Sequence, residues 1–189
     1  MHIGLYFGSF NPIHNGHLAI AQYMYDMYSF DAIWFVVSPS NPLKEKDSLA
    51  DEHKRFKWVE MAIDGADYFH ASDVEFAMER PSYTYLTLRK LCRDYPQNTY
   101  SLILGSDSLD TITLWKNYEE ILENYSIYIY PRSKNTKKIK SENIIYANPP
   151  ILDISSTLIR KKVKNNENIQ GLVPENICKL IEKEELFKQ

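Results

Sequence analysis

Two histidines three residues apart, His14 and His17, are the most pointed chemical signal in the chain. Imidazole is the side chain whose charge changes near neutral pH, so a pair at close spacing suggests work on protons, metals or anions. They lie in His14-Asn15-Gly16-His17, just after Gly8-Ser9-Phe10-Asn11-Pro12. The run before them, Ile3 to Phe7, is apolar, aromatic and of strand length; it breaks at Gly8, and a helical pattern begins at Gly16-His17. A strand that ends in a small-residue loop and feeds a helix offers backbone N–H groups to an anion, and the helix dipole adds partial positive charge. The stretch therefore predicts a phosphate cradle flanked by two tunable cations, with Gly16 letting a ligand approach the backbone. Solvated surface imidazoles, a histidine capping the turn and zinc ligation compete with it. Against zinc, no nearby cysteine or carboxylate completes a ligand set, and the spacing does not match a metalloprotease pair.

A second signal lies far along the chain, in Ile154-Ser155-Ser156-Thr157-Leu158-Ile159-Arg160. Ser155 or Ser156 suits the N-cap of the helix that follows, which explains one hydroxyl. Three hydroxyls in a row with Arg160 one turn into the helix make a second anion site from hydroxyls, amides and a guanidinium. Two anion sites suggest one polyphosphate held between them. Neither GxxxxGK[ST] nor GxGxxG occurs, which argues against a P-loop NTPase and a dinucleotide-binding dehydrogenase.

The elements that must position these residues follow from periodicity. Gly16–Tyr28 reads as a helix with a wide apolar face of Leu18, Ala21 and Tyr25, flanked by Ile20, Met24 and Met27. Ala32–Val37 is an apolar run of the kind found in strands buried on both faces, followed by a proline-broken loop ending in Leu43-Lys44. A helix over Asp51–Asp64 places Phe56, Val59 and Ile63 inward, and a weaker strand covers Tyr68–Val74. The turn Glu79–Thr84 leads into a helix carrying Tyr85, Leu88 and Leu91. Tyr100–Leu104 is a further strand ending at Gly105-Ser106-Asp107; a helical region broken near Trp115 resumes at Tyr118–Asn124. Ser126–Tyr130 is a strand ending at Pro131-Arg132, and residues 133–143 form a charged loop. Asn143–Ile154 is expected to hold at least one strand, around Pro149-Pro150, followed by helices over Ser156–Lys164 and Pro174–Glu184.

Strands alternating with helices, each strand an apolar run, imply an α/β fold: an open parallel sheet with helices on both faces. The chemically marked loops follow Phe7, Val37, Leu104 and Tyr130, so they share the carboxyl edge of the sheet, where such folds bind ligands.

Composition sets the bounds. A chain of 189 residues is long enough for one domain with a continuous core. The net charge of −3 gives no field to gather nucleic acid or an anionic membrane, so an anion site must be local. The basic run Lys134–Lys140 reads as a solvated loop. Cys92 and Cys178 read as reduced thiols. No leader pattern and no apolar run of about 18 residues is visible, and a soluble, cytoplasmic protein is expected.

On these residues the chain resembles a known group. Gly8-Ser9-Phe10-Asn11-Pro12 with His14-x-Gly16-His17, and Ile154-Ser155-Ser156-Thr157-x-Ile159-Arg160, are similar to the two defining motifs of the HxGH nucleotidyltransferase superfamily. Pro81-Ser82-Tyr83-Thr84, Gly105-Ser106-Asp107-Ser108-Leu109, Leu114-Trp115 and Pro131-Arg132 are similar to one branch, the bacterial nicotinate-nucleotide adenylyltransferases. The resemblance spans essentially residues 1–189 and implies a single Rossmann-like nucleotidyltransferase domain, with the C-terminal helices from about 155 packed on the sheet. The chain departs from the pattern at Asn11, where Asp is frequent, and in the short turn Glu79-Arg80-Pro81, which is usually longer and glycine-rich.

The resemblance implies ATP and nicotinate mononucleotide as substrates, deamido-NAD and pyrophosphate as products, and Mg2+ carried by the nucleotide phosphates rather than by a protein metal site. Nicotinamide mononucleotide or another phosphorylated acceptor is the alternative substrate, and a non-catalytic nucleotide-binding regulator the alternative class. A homo-oligomer is compatible with either. His14, His17, Lys44 and Arg160 are then the catalytic candidates, acting on phosphate charge. The ATP-binding candidates are Gly8, Ser9, Phe10, Gly16, His17, Gly105, Asp107, Ile154, Ser155, Ser156 and Arg160. Ser156 and Arg160 would hold the β- and γ-phosphates, and Asp107 would orient a ribose hydroxyl unless it merely caps a helix. Ser82, Tyr83, Thr84, Trp115 and Arg132 are the acceptor candidates: backbone amides near Tyr83-Thr84 for the carboxylate, Trp115 for ring stacking unless it is core, and Arg132 for the phosphate unless it is solvated. Replacing His17 by Ala is expected to leave folding intact and lower turnover about 10²-fold or more.

Overall fold

A computed structural model describes residues 1–39, 49–131, 139, 141–150 and 152–188. Lys44 and Arg132 lie outside the described residues, as does most of the loop at 133–143. Six parallel strands form one sheet: β1 (His2–Gly8), β2 (Ala32–Val37), β3 (Phe69–Ser72), β4 (Thr99–Gly105), β5 (Ile127–Tyr130) and β6 (Ile144–Tyr146), in the order β3-β2-β1-β4-β5-β6. The helices are α1 (Asn15–Met27), α2 (Glu52–Ile63), α3 (Thr84–Asp94), α4 (Ser106–Asp110), α5 (Tyr118–Asn124), α6 (Ser156–Lys164) and α7 (Glu175–Lys183), with a 3₁₀ turn at Ile112–Leu114.

The apolar runs become strands because both sheet faces are covered. On β1, Ile3 and Leu5 enter one core cluster and Tyr6 the other. The Tyr6 cluster is closed by α1 through Ala21 and Met24, α2 through Trp58 and Val59, α6 through Ile159 and Val163, and α7 through Ile177 and Ile181. The opposite cluster is closed by α3 through Tyr85, Leu88 and Leu91, α4 through Leu109 and α5 through Ile121. Register places Gly8 beside Val37, and Gly105 beside Tyr130, so the loops after β1, β2, β4 and β5 leave from one edge. Between β1 and β4 the chain direction of winding reverses, which opens a crevice at that edge.

The strand expected within Asn143–Ile154 is Ile144–Tyr146, ahead of Pro149-Pro150, since prolines cannot donate to the ladder. Two expectations are corrected. The strand at Tyr68–Val74 is shortened to Phe69–Ser72. Met27 is 61% exposed and adds nothing to the inner face of α1. Among the described residues no helix is long and apolar enough to cross a membrane.

Candidate active site

The loop after β1 is shaped by Phe10. Its backbone has φ 45°, a left-handed conformation, while its ring is buried. The ring folds back over Gly8, where a Cβ would lie 2.7 Å from Phe10 Cζ, so that position has no room for a side chain. Phe10 also meets Tyr6 edge-on at 5.8 Å, Phe35 at 5.6 Å and His17 at 5.0 Å between ring centroids. Burial of this aromatic group holds the loop in its unfavourable backbone state.

His14 is the N-cap of α1, and His17 is the third residue of the helix. The backbone N–H of His17 donates to His14 Nδ1, and that of His14 donates to His17 Nδ1, each at 3.3 Å. This is a capping box made of two imidazoles. An Nδ1 that accepts carries no proton, so a neutral ring bears its hydrogen on Nε2. Both rings are thus fixed in the same tautomer, stacked at 3.6 Å with an interplanar angle of 20°. The capping reading and the phosphate-binding reading are compatible: the cap uses Nδ1 and orients Nε2–H. A Cβ on Gly16 would approach His14 Nδ1 to 3.0 Å, so the glycine makes room for the His14 ring.

The second motif meets the first. Ser155 is the N-cap of α6, its Oγ accepting from the Leu158 N–H at 3.1 Å. Ser156 Oγ donates to the Pro12 carbonyl at 2.9 Å, and Arg160 Nη1 donates to the Asn11 carbonyl at 2.8 Å. Arg160 Nη2 reaches Thr157 Oγ1 at 3.3 Å. Besides any anion they meet, Ser156 and Arg160 thus hold the β1 loop. A guanidinium has five N–H groups, so Arg160 can serve both the loop and an anion. Its half-buried setting lowers its pKa from the ordinary arginine range through desolvation. Ile154, partly buried against the core, lies 3.6 Å from the Gly16 Cβ position and brings the two motifs together.

At the end of β4, Gly105 is the N-cap of α4, and Asp107 is exposed in the first helical turn. Because the cap position belongs to Gly105, Asp107 is not the helix cap. Across the edge, Tyr83 is the N-cap of α3 without a side-chain capping bond, and Thr84 begins the helix. Lys116 Nζ sits 4.8 Å over the Tyr83 ring, and Trp115 is partly buried against the same core cluster as Tyr83. Ser82, buried, donates from Oγ to Glu75 Oε2 at 2.9 Å. Tyr83 and Trp115 thus pack against one core cluster, while the loop carrying the two histidines meets Ser156 and Arg160.

Two groups that sequence reasoning passed over hold this edge together. Arg55, fully buried on α2, donates to the carbonyls of Ser9 at 2.6 Å, Ser38 at 2.9 Å, Pro39 at 3.1 Å and Ala50 at 2.8 Å. Burial pushes its pKa down to about 10, so it remains a cation at neutral pH. Asn11 Oδ1 accepts from the Ala50 N–H at 3.2 Å, a further tie between the β1 loop and the start of α2. The signal was a charged residue at i−4 from Val59 and i−8 from Ile63, on the face expected to be apolar. Glu75, 2% exposed, is the other; no periodic context surrounds it.

A family model for cytidylyltransferase-like proteins matches residues 5–162. A relative from Flavobacterium johnsoniae, described as a probable nicotinate-nucleotide adenylyltransferase, is 44% identical with both chains covered completely. One of the same description from Cytophaga hutchinsonii is 46% identical over 96% of this chain and 95% of its own. Among solved structures, Plasmodium falciparum nicotinic acid mononucleotide adenylyltransferase complexed with NaAD superposes with a TM-score of 0.83 at 23% identity, covering 99% of this chain and 97% of that one. That likeness shares the fold, with the same parallel sheet and flanking helices. From its motifs, its sheet and these relatives together, the chain belongs to the cytidylyltransferase-like family and, within it, to the nicotinate-nucleotide adenylyltransferases.

Proposed function

We infer that this chain transfers the adenylyl group of ATP to nicotinate mononucleotide, giving deamido-NAD and pyrophosphate. The observation that carries the reading is the meeting of the stacked His14–His17 pair with the start of α6 at the crevice edge. A 5′-phosphate oxygen of the mononucleotide attacks the α-phosphorus in line; the bond to the bridging oxygen breaks, and its electrons leave with pyrophosphate. The nucleophile is already an anion, so no protein base is required. What the protein supplies is alignment and charge stabilisation.

In this reading the Nε2–H groups of His14 and His17 donate to the α- and β-phosphate oxygens. The amides at the first turn of α6, beside Arg160, receive the β- and γ-phosphates. Asp107 orients the ribose, Trp115 stacks on the pyridine ring, and the amides at the start of α3 bind its carboxylate. Lys44 and Arg132 complete the phosphate contacts. Among the described residues no three carboxylate, imidazole or thiol side chains converge on a point. The donors at this edge are N–H groups and cations, which suit an ion arriving on the triphosphate. We therefore treat magnesium as part of the substrate, neutralising phosphate charge.

The test is pyrophosphate release from ATP with each mononucleotide in turn. Turnover with nicotinate mononucleotide exceeding that with nicotinamide mononucleotide is expected; equal or greater activity with the amide would reassign the acceptor.

A further inference from the structure

Glu75 lies in the loop after β3, where a buried carboxylate has no place in the phosphate chemistry of the site. Its oxygens are not idle. Oε2 accepts from Ser82 Oγ at 2.9 Å and Oε1 from Thr87 Oγ1 at 2.8 Å. Ser82 and Thr87 bracket Tyr83-Thr84, the residues that begin α3. Thr87 Oγ1 lies 3.4 Å from the Tyr83 carbonyl as well, so the bracket closes on the cap residue itself.

The first turn of α3 has no side-chain cap of its own. In most helices a Ser, Thr, Asp or Asn at that position turns inward and takes the first amides. Here Tyr83 carries no such acceptor, and the geometry of the turn is set from beneath by a carboxylate that reaches side chains on both sides of it. An acceptor with two fixed oxygens forces both hydroxyls to donate toward it, which removes their rotational freedom. α3 links β3 to the parallel strand β4, so it starts at the carboxyl edge of the sheet, and its leading amides face that edge. A buried carboxylate is an expensive way to fix a turn unless the direction of that turn matters.

We propose that Glu75 is a positioning residue for acceptor recognition: by clamping Ser82 and Thr87 it aims the amides of Tyr83-Thr84 at the carboxylate of the pyridine ring. This rests on the reading above that those amides bind the acid group.

The decisive measurement is the ratio of kcat/KM for nicotinate mononucleotide over nicotinamide mononucleotide, taken on wild type, E75Q and T87V. Within one preparation this ratio does not depend on how much of the enzyme is folded, so lost stability alone leaves it unchanged. The clamp predicts a fall of about tenfold in E75Q and a smaller fall in T87V, with the KM for ATP within about twofold of wild type. Unchanged ratios in both variants would overturn the positioning role while the acceptor assignment stands. A wild-type ratio of one or less would overturn the assignment and the proposal together.

Discussion

His17 serves packing and chemistry with different parts of one ring. Its Nδ1 closes the cap of α1, and its ring packs against His14, Phe10 and Tyr6, while the proposed phosphate contact falls to Nε2. The expectation that H17A changes turnover alone is therefore too simple. Removing a positioned donor to transition-state charge should lower turnover by about 10²-fold or more. Removing a ring that is 9% exposed should also cost about 1–3 kcal/mol. Steady-state pyrophosphate release and thermal unfolding read the two losses separately, and unaltered turnover would remove His17 from the mechanism. Glu75 offers a second residue-level prediction, with a sign fixed by linkage. Burial raises its pKa above 4.5, against the opposing pull of hydroxyl donors from Thr87, Ser82 and Ser38. A folded-state value above the unfolded one means the contribution is present below 4.5 and is lost as pH rises through the folded value. Urea unfolding across that range should show wild type losing stability relative to E75Q as pH increases; parallel profiles would contradict a raised value.

At the scale of elements, α6 is a short helix whose start is proposed to bind the triphosphate and whose inner face fastens it to the core through Ile159 and Val163. Ser155→Ala removes the bond to the Leu158 N–H and should cost about 1 kcal/mol, lowering Tm by roughly 2–4 °C in a chain of this size. If the first-turn amides receive the triphosphate, the KM for ATP rises as well, while that for the acceptor stays close to wild type. The elements themselves were largely legible in the sequence. Ala32–Val37 and Ser156–Lys164 appear with the expected bounds, because an uninterrupted apolar run and a hydroxyl cap are local signals. The histidine pair and the Ser155–Arg160 motif were legible for the same reason. Arg55, Glu75 and the carbonyl contacts of Ser156 and Arg160 were not. Each depends on partners set by the crossing of distant elements, and no local period encodes those partners.

Across the whole molecule, Arg55 ties together more of this edge than any other side chain among the described residues. Four carbonyls from the loops after β1 and β2 and from the entrance to α2 converge on one guanidinium. Substituting Met keeps the buried stem and leaves those carbonyls without their charged donor. We expect R55M to lose about 3 kcal/mol or more, seen as a lowered midpoint in urea. Activity should fall even in the folded fraction, since the loops on both sides of the phosphate region lose their common anchor. A folded R55M with wild-type kinetics would show that the loops hold their shape without it.

The bonds from Ser156 to Pro12 and from Arg160 to Asn11 join residues 144 and 149 positions apart. A chain emerging from the ribosome can pair its first strands long before α6 exists, yet the proposed triphosphate cradle has only one wall until α6 arrives. Closing so long a loop is among the late and entropically costly steps of folding. On the proposed site, nucleotide affinity would therefore report the arrival of α6: a chain lacking it holds much of the sheet but not that grip on ATP, and during refolding ATP binding should trail the recovery of secondary structure.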